Sequence, residues 1–279
     1  MTRRKPLPVS TPSPLAREAA ELRREIVEAL FAAKGGHYGG SLSVLDILLT
    51  LYRTQVRPSP RRPRDPERDR VILSKGHAAI ALYAVLRRLG LSETPLGQYG
   101  CLGSPLEGHP DMTVLPAIDF STGSLGQGLS VGLGMALALR GRGPRVWVVL
   151  GDGECQEGQV WEAALLASRL AVDNLIAVVD GNGFQEWGWS RGPGEPVPVP
   201  DQAGKWTAFG WRVLEVDGHD HEALAATFTA AAAAAGRPTM ILSRTVKGKG
   251  VPLAEADPVR FHCTTVTDLE HAEILRSLS

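Results

Sequence analysis

The stretch 145-RVWVVLGDGECQEGQVWEAALLASRLAVDNLIAVVDGN-182 decides the fold. Its ends, 145–150 and 174–180, are short apolar runs rich in β-branched residues, which read as buried strands. Between them Val160–Leu170 carries helical spacing. A strand, a crossover helix and a second strand make a parallel pair whose carboxyl ends share one edge of the sheet. Asp152 lies just past the first of those ends and Asn182 just past the second, so two side chains thirty residues apart are expected to meet. Open α/β sheets bind ligands at that edge.

Outward from this unit the pattern repeats. DRVILS (69–74), WRVLEVD (211–217) and PTMILSR (238–244) read as further strands. Helical periodicity covers Leu15–Ala33, Val44–Tyr52, Ala78–Leu89, Leu125–Leu139 and His221–Ala235, with a last short helix near the carboxyl end. GGHYGGS (35–41) is read as a helix break, and 91–120, 186–200 and 246–262 as Gly- and Pro-rich loops. The expected fold class is α/β, doubly wound, with a mostly parallel sheet covered by helices on both faces. Residues 1–14 are polar and proline-rich and are expected to form a flexible arm, with one domain over 15–279.

Composition narrows the function classes. Thirty basic and thirty acidic residues balance to zero net charge, which argues against nucleic acid or an anionic membrane as partner. The basic run Arg57-Pro-Ser-Pro-Arg-Arg-Pro-Arg reads as a solvated loop. Cys101, Cys155 and Cys263 are widely spaced and form no metal or disulfide pattern, which points to a reduced, cytoplasmic setting. No apolar run approaches the roughly 20 residues that span a bilayer.

A carboxylate and an amide oxygen are hard donors suited to Mg²⁺ or Ca²⁺ rather than zinc. Mg²⁺ held by few protein groups completes its shell with water and phosphate oxygens. Gly151 and Gly153 let the backbone turn sharply and approach a phosphate, so the expected site is metal–diphosphate. His37, His77 and His109 sit beside glycines in loops, where an imidazole can exchange protons with a ligand near neutral pH. His219, His221 and His271 are read as structural or surface residues. Lys75 and Lys247 are open to two readings, as phosphate contacts or as solvated side chains.

SKGHAAIALY, GHPD, STGSLGQGLS, GDGECQEGQVWEA and KWTAFGWRVLEVDGHD occur in this order, and with them the chain resembles the diphosphate-binding half of transketolase over about residues 15–262. The related deoxyxylulose-phosphate synthase lacks the QEGQVWEA continuation. The resemblance implies thiamine diphosphate as cofactor, with Mg²⁺ (or Ca²⁺ in its place) on Asp152, Asn182 and the carbonyl of Phe184. It implies Gly151, Gly153 and Glu154 at the diphosphate, and Gly123 and Leu125 beside the cofactor's rings. His37, His77, which also faces the cofactor, His109 and a less securely matched His262 would line a substrate channel. Glu157 and Glu162 would lie at a subunit interface.

The implied reaction moves a two-carbon ketol unit from a ketose or ketose phosphate to an aldose. A complete transketolase is more than twice this length and has a second, pyrimidine-binding domain. The resemblance therefore implies a split enzyme with a separate carboxyl-terminal subunit, in an α2β2 assembly. The alternatives are a relative that passes the unit to a carrier protein, and a non-catalytic assembly subunit. One departure stands out: many relatives read Asp-Asn-Asn where this chain reads Asp180-Gly181-Asn182, which is expected to loosen the backbone before the ligand position.

Overall fold

The computed structural model describes residues 13–56, 62–63, 65–186 and 200–278. Residues 1–12 of the expected arm, nearly all of the basic 57–64 run and most of the 186–200 loop lie outside the described residues, whereas Ser13 and Pro14, assigned to that arm, instead cap and open the first helix. Five strands, β1 (Arg70–Leu73), β2 (Val146–Gly151), β3 (Leu175–Gly181), β4 (Arg212–Asp217) and β5 (Thr239–Arg244), form one sheet in the order β1-β2-β3-β5-β4. All four pairings are parallel, and the doubly wound expectation holds.

The strands alternate between two cores. Trp147, Val149, Ile176, Val178 and Ile241 point to one face. There they meet α1 (Pro14–Ala32), α2 (Tyr38–Thr54), α3 (Ala79–Arg88) and α7 (His221–Ala232). Val146, Val148, Leu150, Ala177, Val179 and Met240 point to the other. That face is covered by α4 (Gln127–Ala138), α5 (Gly158–Arg169) and α6 (Gln202–Ala208). Burial on both faces explains why β2 and β3 read as unbroken apolar runs. Two short helices near the carboxyl end, α8 (Pro252–Ala256) and α9 (Asp268–Ser277), complete the set. Among the described residues no helix is long and apolar enough to cross a membrane.

Three expectations are corrected. GGHYGGS does not delay the helix to Val44: α2 begins at Tyr38 and takes Gly39 and Gly40 into its first turn. Those glycines serve close approach, since a Cβ at Gly39 would lie 2.9 Å from Lys247 Cγ and one at Gly40 3.1 Å from His77 Nε2. Leu125 precedes α4 rather than opening it, because Gly126 stands in the left-handed region at φ 82°. The helix α4 then lies tight on the sheet, where a Cβ at Gly132 would meet Val148 Cγ2 at 2.5 Å. Finally, α8 forms inside the supposed loop 246–262, started by Pro252 in its first turn, where a missing N–H costs nothing.

Candidate functional site

The register puts Gly151 of β2 opposite Asp180 of β3. One step further on, Asp152 N donates to the Asp180 carbonyl at 3.3 Å. The Asp152 carboxylate accepts from Gly153 N at 2.8 Å and Gly183 N at 2.6 Å, so it is pinned between the two strand ends. Asn182 Oδ1 accepts from Phe184 N at 3.1 Å, which folds the chain after β3 back on itself. Asp152, Asn182 and Phe184 all line one cavity of about 330 Å³ at the carboxyl edge of the sheet. Sequence separation collapses here as the parallel pair requires.

His37, His77, Gly123, Leu125, Gly151, Gly153, Glu154 and His262 line the same cavity. His77 follows β1 in a short helical turn. His37 and His262 are joined by a backbone bridge in which Gly36 and Thr264 exchange hydrogen bonds of 3.0 and 3.1 Å. The three imidazoles form a cluster with ring centroids 5.2–5.5 Å apart. Burial depresses all three: His37 to about 4, with His109 and two lysines adding to the effect, and His262 to about 3, with Lys247 next in size. His77 is depressed as well, by burial and then by Lys75. Near neutral pH all three are uncharged and can each accept one proton and donate another.

His109 is exposed and stands against Gly123, where a Cβ would meet its ring at 3.4 Å. Glu154 is a brace: its carboxylate accepts from Ser74 Oγ, from Gly126 N at 2.9 Å and from Gly151 N at 3.0 Å, tying β1, the loop before α4 and β2 together. Glu157 lines the cavity rim, whereas Glu162 lies on the exposed side of α5, away from it. On that side Leu165 and Leu166 are 60% and 46% exposed, and Leu137 of α4 and Leu170 are also exposed.

Both lysines are in the cavity wall rather than in solvent. Lys75 is 1% and Lys247 2% exposed. Lys75 Nζ pairs with the fully buried Asp180, which also accepts from Ser43 Oγ at 2.6 Å and from Thr245 Oγ1. Sequence reasoning misses this pair because the partners are 105 residues apart and meet only through the order β1-β2-β3. Gly181 does not loosen the backbone either: a Cβ there would sit 3.0 Å from Leu242 Cδ1 and 3.2 Å from Ser243 O, so β5 leaves room for little else. His219 and His221 are structural, as expected, and both contact Asp46; His271 stacks on Phe31.

The residues fit a hard cation. Burial, then the neighbouring Asp180, raises the Asp152 carboxyl to about 6. Among the described residues Asp152 has no ion pair of its own, and its partners are backbone amides. A carboxylate so placed is relieved by a cation, and the donors beside it are oxygens. Among the described residues no group of three or more His, Cys, Asp or Glu side chains is placed to hold a metal. An Asp, Asn and carbonyl set is of a different kind and would leave much of a magnesium shell to phosphate and water.

A parallel α/β sheet with a histidine-lined cavity across its strand ends defines the doubly wound class, whose ligands bind at that edge. The chain belongs to the transketolase family: the family described as "Transketolase, thiamine diphosphate binding domain" matches residues 16–278. It is 38% identical over 260 residues to an apulose-4-phosphate transketolase subunit from Phocaeicola vulgatus, covering 92% of this chain and 91% of that protein. It is 41% identical over 246 residues to the 6-deoxy-6-sulfo-D-fructose transketolase subunit SqwG of a Clostridium species, covering 86% and 88%. A transketolase structure from Pichia stipitis superposes with a TM-score of 0.85 at 29% identity, over 96% of this chain and 40% of that one. The chain thus spans about two fifths of that solved transketolase.

Proposed function

We propose that this chain is the diphosphate-binding subunit of a two-chain transketolase, moving a two-carbon ketol unit from a ketose or ketose phosphate to an aldose. The observation that carries the reading is the meeting of Asp152, Asn182 and Phe184 with His37, His77 and His262 in one cavity. Two relatives matched along nearly their whole length bear names that call them transketolase subunits, which supports a separate pyrimidine-binding partner. An α2β2 assembly in the cytoplasm is part of the same reading. The exposed leucines on α4 and α5 support an interface on that side, with Glu162 within it and Glu157 at its edge.

Asp152, Asn182 and the Phe184 carbonyl would hold Mg²⁺, or Ca²⁺ in its place. Gly151 and Gly153 give the diphosphate room to approach the backbone, and Glu154 keeps that turn in shape. Gly123 and Leu125 would face the cofactor's rings. Bound thiamine diphosphate would supply the carbon nucleophile and the electron sink for cleaving a ketose C2–C3 bond. The chain's own part is to orient the sugar and handle its protons. His37, His77 and His262, uncharged at neutral pH, can accept a hydroxyl proton at one ring nitrogen and donate at the other. His109, exposed beside Gly123, would meet the substrate at the channel mouth.

The test mixes the chain with its candidate pyrimidine-binding partner, thiamine diphosphate and Mg²⁺, and supplies a ketose labelled in its first two carbons with an aldose acceptor. The expected result is label in a product two carbons longer than the acceptor, seen by mass spectrometry. Tight cofactor binding with no transfer to any aldose would contradict the reading.

A further inference from the structure

Lys247 lies in a segment with no ladder of its own. Between the end of β5 and the start of α8 the chain turns through Gly248 and Gly250, at φ 84° and 85°. Yet the lysine is held inside the cavity wall, 2% exposed, with Nζ 3.0 Å from His262 Nδ1. Burial, and then Lys75, press its amine down to about 8. That placement opposes solvation of the ammonium, so something must hold the segment in.

The holding contacts converge on Asp46, a carboxylate of α2 that is 2% exposed. Arg23 of α1 pairs with Asp46, and its Nε donates to the Lys249 carbonyl at 3.1 Å. His219 Nδ1 lies 2.6 Å from Asp46 Oδ2, and His221 Nε2 lies 3.3 Å from Oδ1. The far side of His219 matters most. Its Nε2 accepts the Val246 amide hydrogen at 2.8 Å, so the ring proton is assigned to Nδ1, facing Asp46. Gly248 N completes the set by donating to the Gly39 carbonyl at 3.0 Å. The residues on both sides of Lys247 are therefore fastened, and Gly39 leaves space for its stem.

We propose that His219 is a positioning residue: locked by Asp46 in one tautomer, it holds Val246 by its other nitrogen and so fixes Lys247 beside His262 in the cavity. The placement stands without any reading of the ligand; its use in anchoring the cofactor or sugar rests on the function proposed above.

The test is made on the chain alone. Only an uncharged amine is acylated, so the pH profile of Lys247 acetylation, read by peptide mass spectrometry, reports where the amine sits. The unmodified chain should show a midpoint near 8. His219→Asn keeps a donor toward Asp46 but leaves Val246 N–H without its acceptor. Its midpoint should move toward the ordinary lysine value of about 10.4, by one pH unit or more. His219→Gln sets an amide oxygen where Nε2 stood and should restore the original profile. An unmoved profile in His219→Asn, or an equal shift in both variants, overturns the proposal. If neither variant folds, hydrogen exchange in the unmodified chain decides: the Val246 amide should be slowed at least about 100-fold, and exchange at the free-peptide rate overturns the proposal. Failure of thiamine diphosphate to bind would sink the proposed function and leave these readings untouched.

Discussion

The ends of β2 and β3 each carry a buried carboxylate, and the two are built in opposite ways. Asp180, at 0% exposure, has its own cation in Lys75 and hydroxyl donors in Ser43 and Thr245. Burial pushes its carboxyl up, but Lys75 and the hydrogen bonds outweigh that and hold it below the ordinary carboxylate range. Asp152, one residue beyond the facing strand end, is also buried, and among the described residues its carboxylate accepts only from backbone amides. Its carboxyl is raised to about 6. The sheet thus presents one satisfied charge and one waiting charge side by side. The difference supports the proposal that an added cation would sit at Asp152, on the cavity side, and not at Asp180.

The largest effect should follow from removing the satisfied charge. Asp180→Ala leaves the buried Lys75 with no counter-charge and only the Gly40 carbonyl, 3.1 Å from Nζ, to accept from it, and breaking a buried pair in this way costs about 3–5 kcal/mol. Denaturant unfolding of the metal-free chain measures it; a loss below about 1 kcal/mol would show that Lys75 finds solvent or another partner.

Removing the waiting charge should act in the other direction. A carboxyl raised from 3.8 to about 6 is harder to ionise folded than unfolded. It therefore lowers stability as pH rises from about 4 to about 6, by about 3 kcal/mol at most at one pH unit per 1.36 kcal/mol. Asp152→Asn loses one amide contact and should still make the metal-free chain about 1–2 kcal/mol more stable at pH 7. The gain should vanish below about pH 4, where both states are protonated. A variant less stable than the original at pH 7 would reverse the comparison between the two carboxylates.

The smallest effect sharpens it. Thr245→Val takes one hydroxyl donor from Asp180 while Lys75 and Ser43 remain, and should cost about 1 kcal/mol in the same unfolding experiment. No measurable change would mean that Lys75 and Ser43 satisfy Asp180 without the Thr245 hydroxyl.

The sheet and its metal-ligand candidates are legible in the sequence because they depend on local pattern. Val146–Leu150 and Leu175–Val179 are apolar without interruption, and a crossover between them forces their ends to one edge. Asp152 and Asn182 follow from that alone. Lys75 and Asp180 do not, because their meeting requires knowing that β1 lies beside β2 and β2 beside β3. The early start of α2 is hidden for a related reason. Gly39 and Gly40 read as a break, but their lack of a side chain answers to Lys247 and His77, which arrive from elsewhere in the chain. His219 reads correctly as structural, yet its contact with Asp46 spans 173 residues, so its hold on Val246 is invisible in the sequence.

The most direct test is calorimetric titration of thiamine diphosphate into the chain with its candidate partner, with and without Mg²⁺, and again with Asp152→Ala. Asp152 as the open cation position predicts binding that requires Mg²⁺. In the variant, affinity should fall at least about tenfold, equal to about 1.4 kcal/mol, with the fold retained. Equal affinity with and without the metal, or an unchanged affinity in Asp152→Ala, would contradict the account.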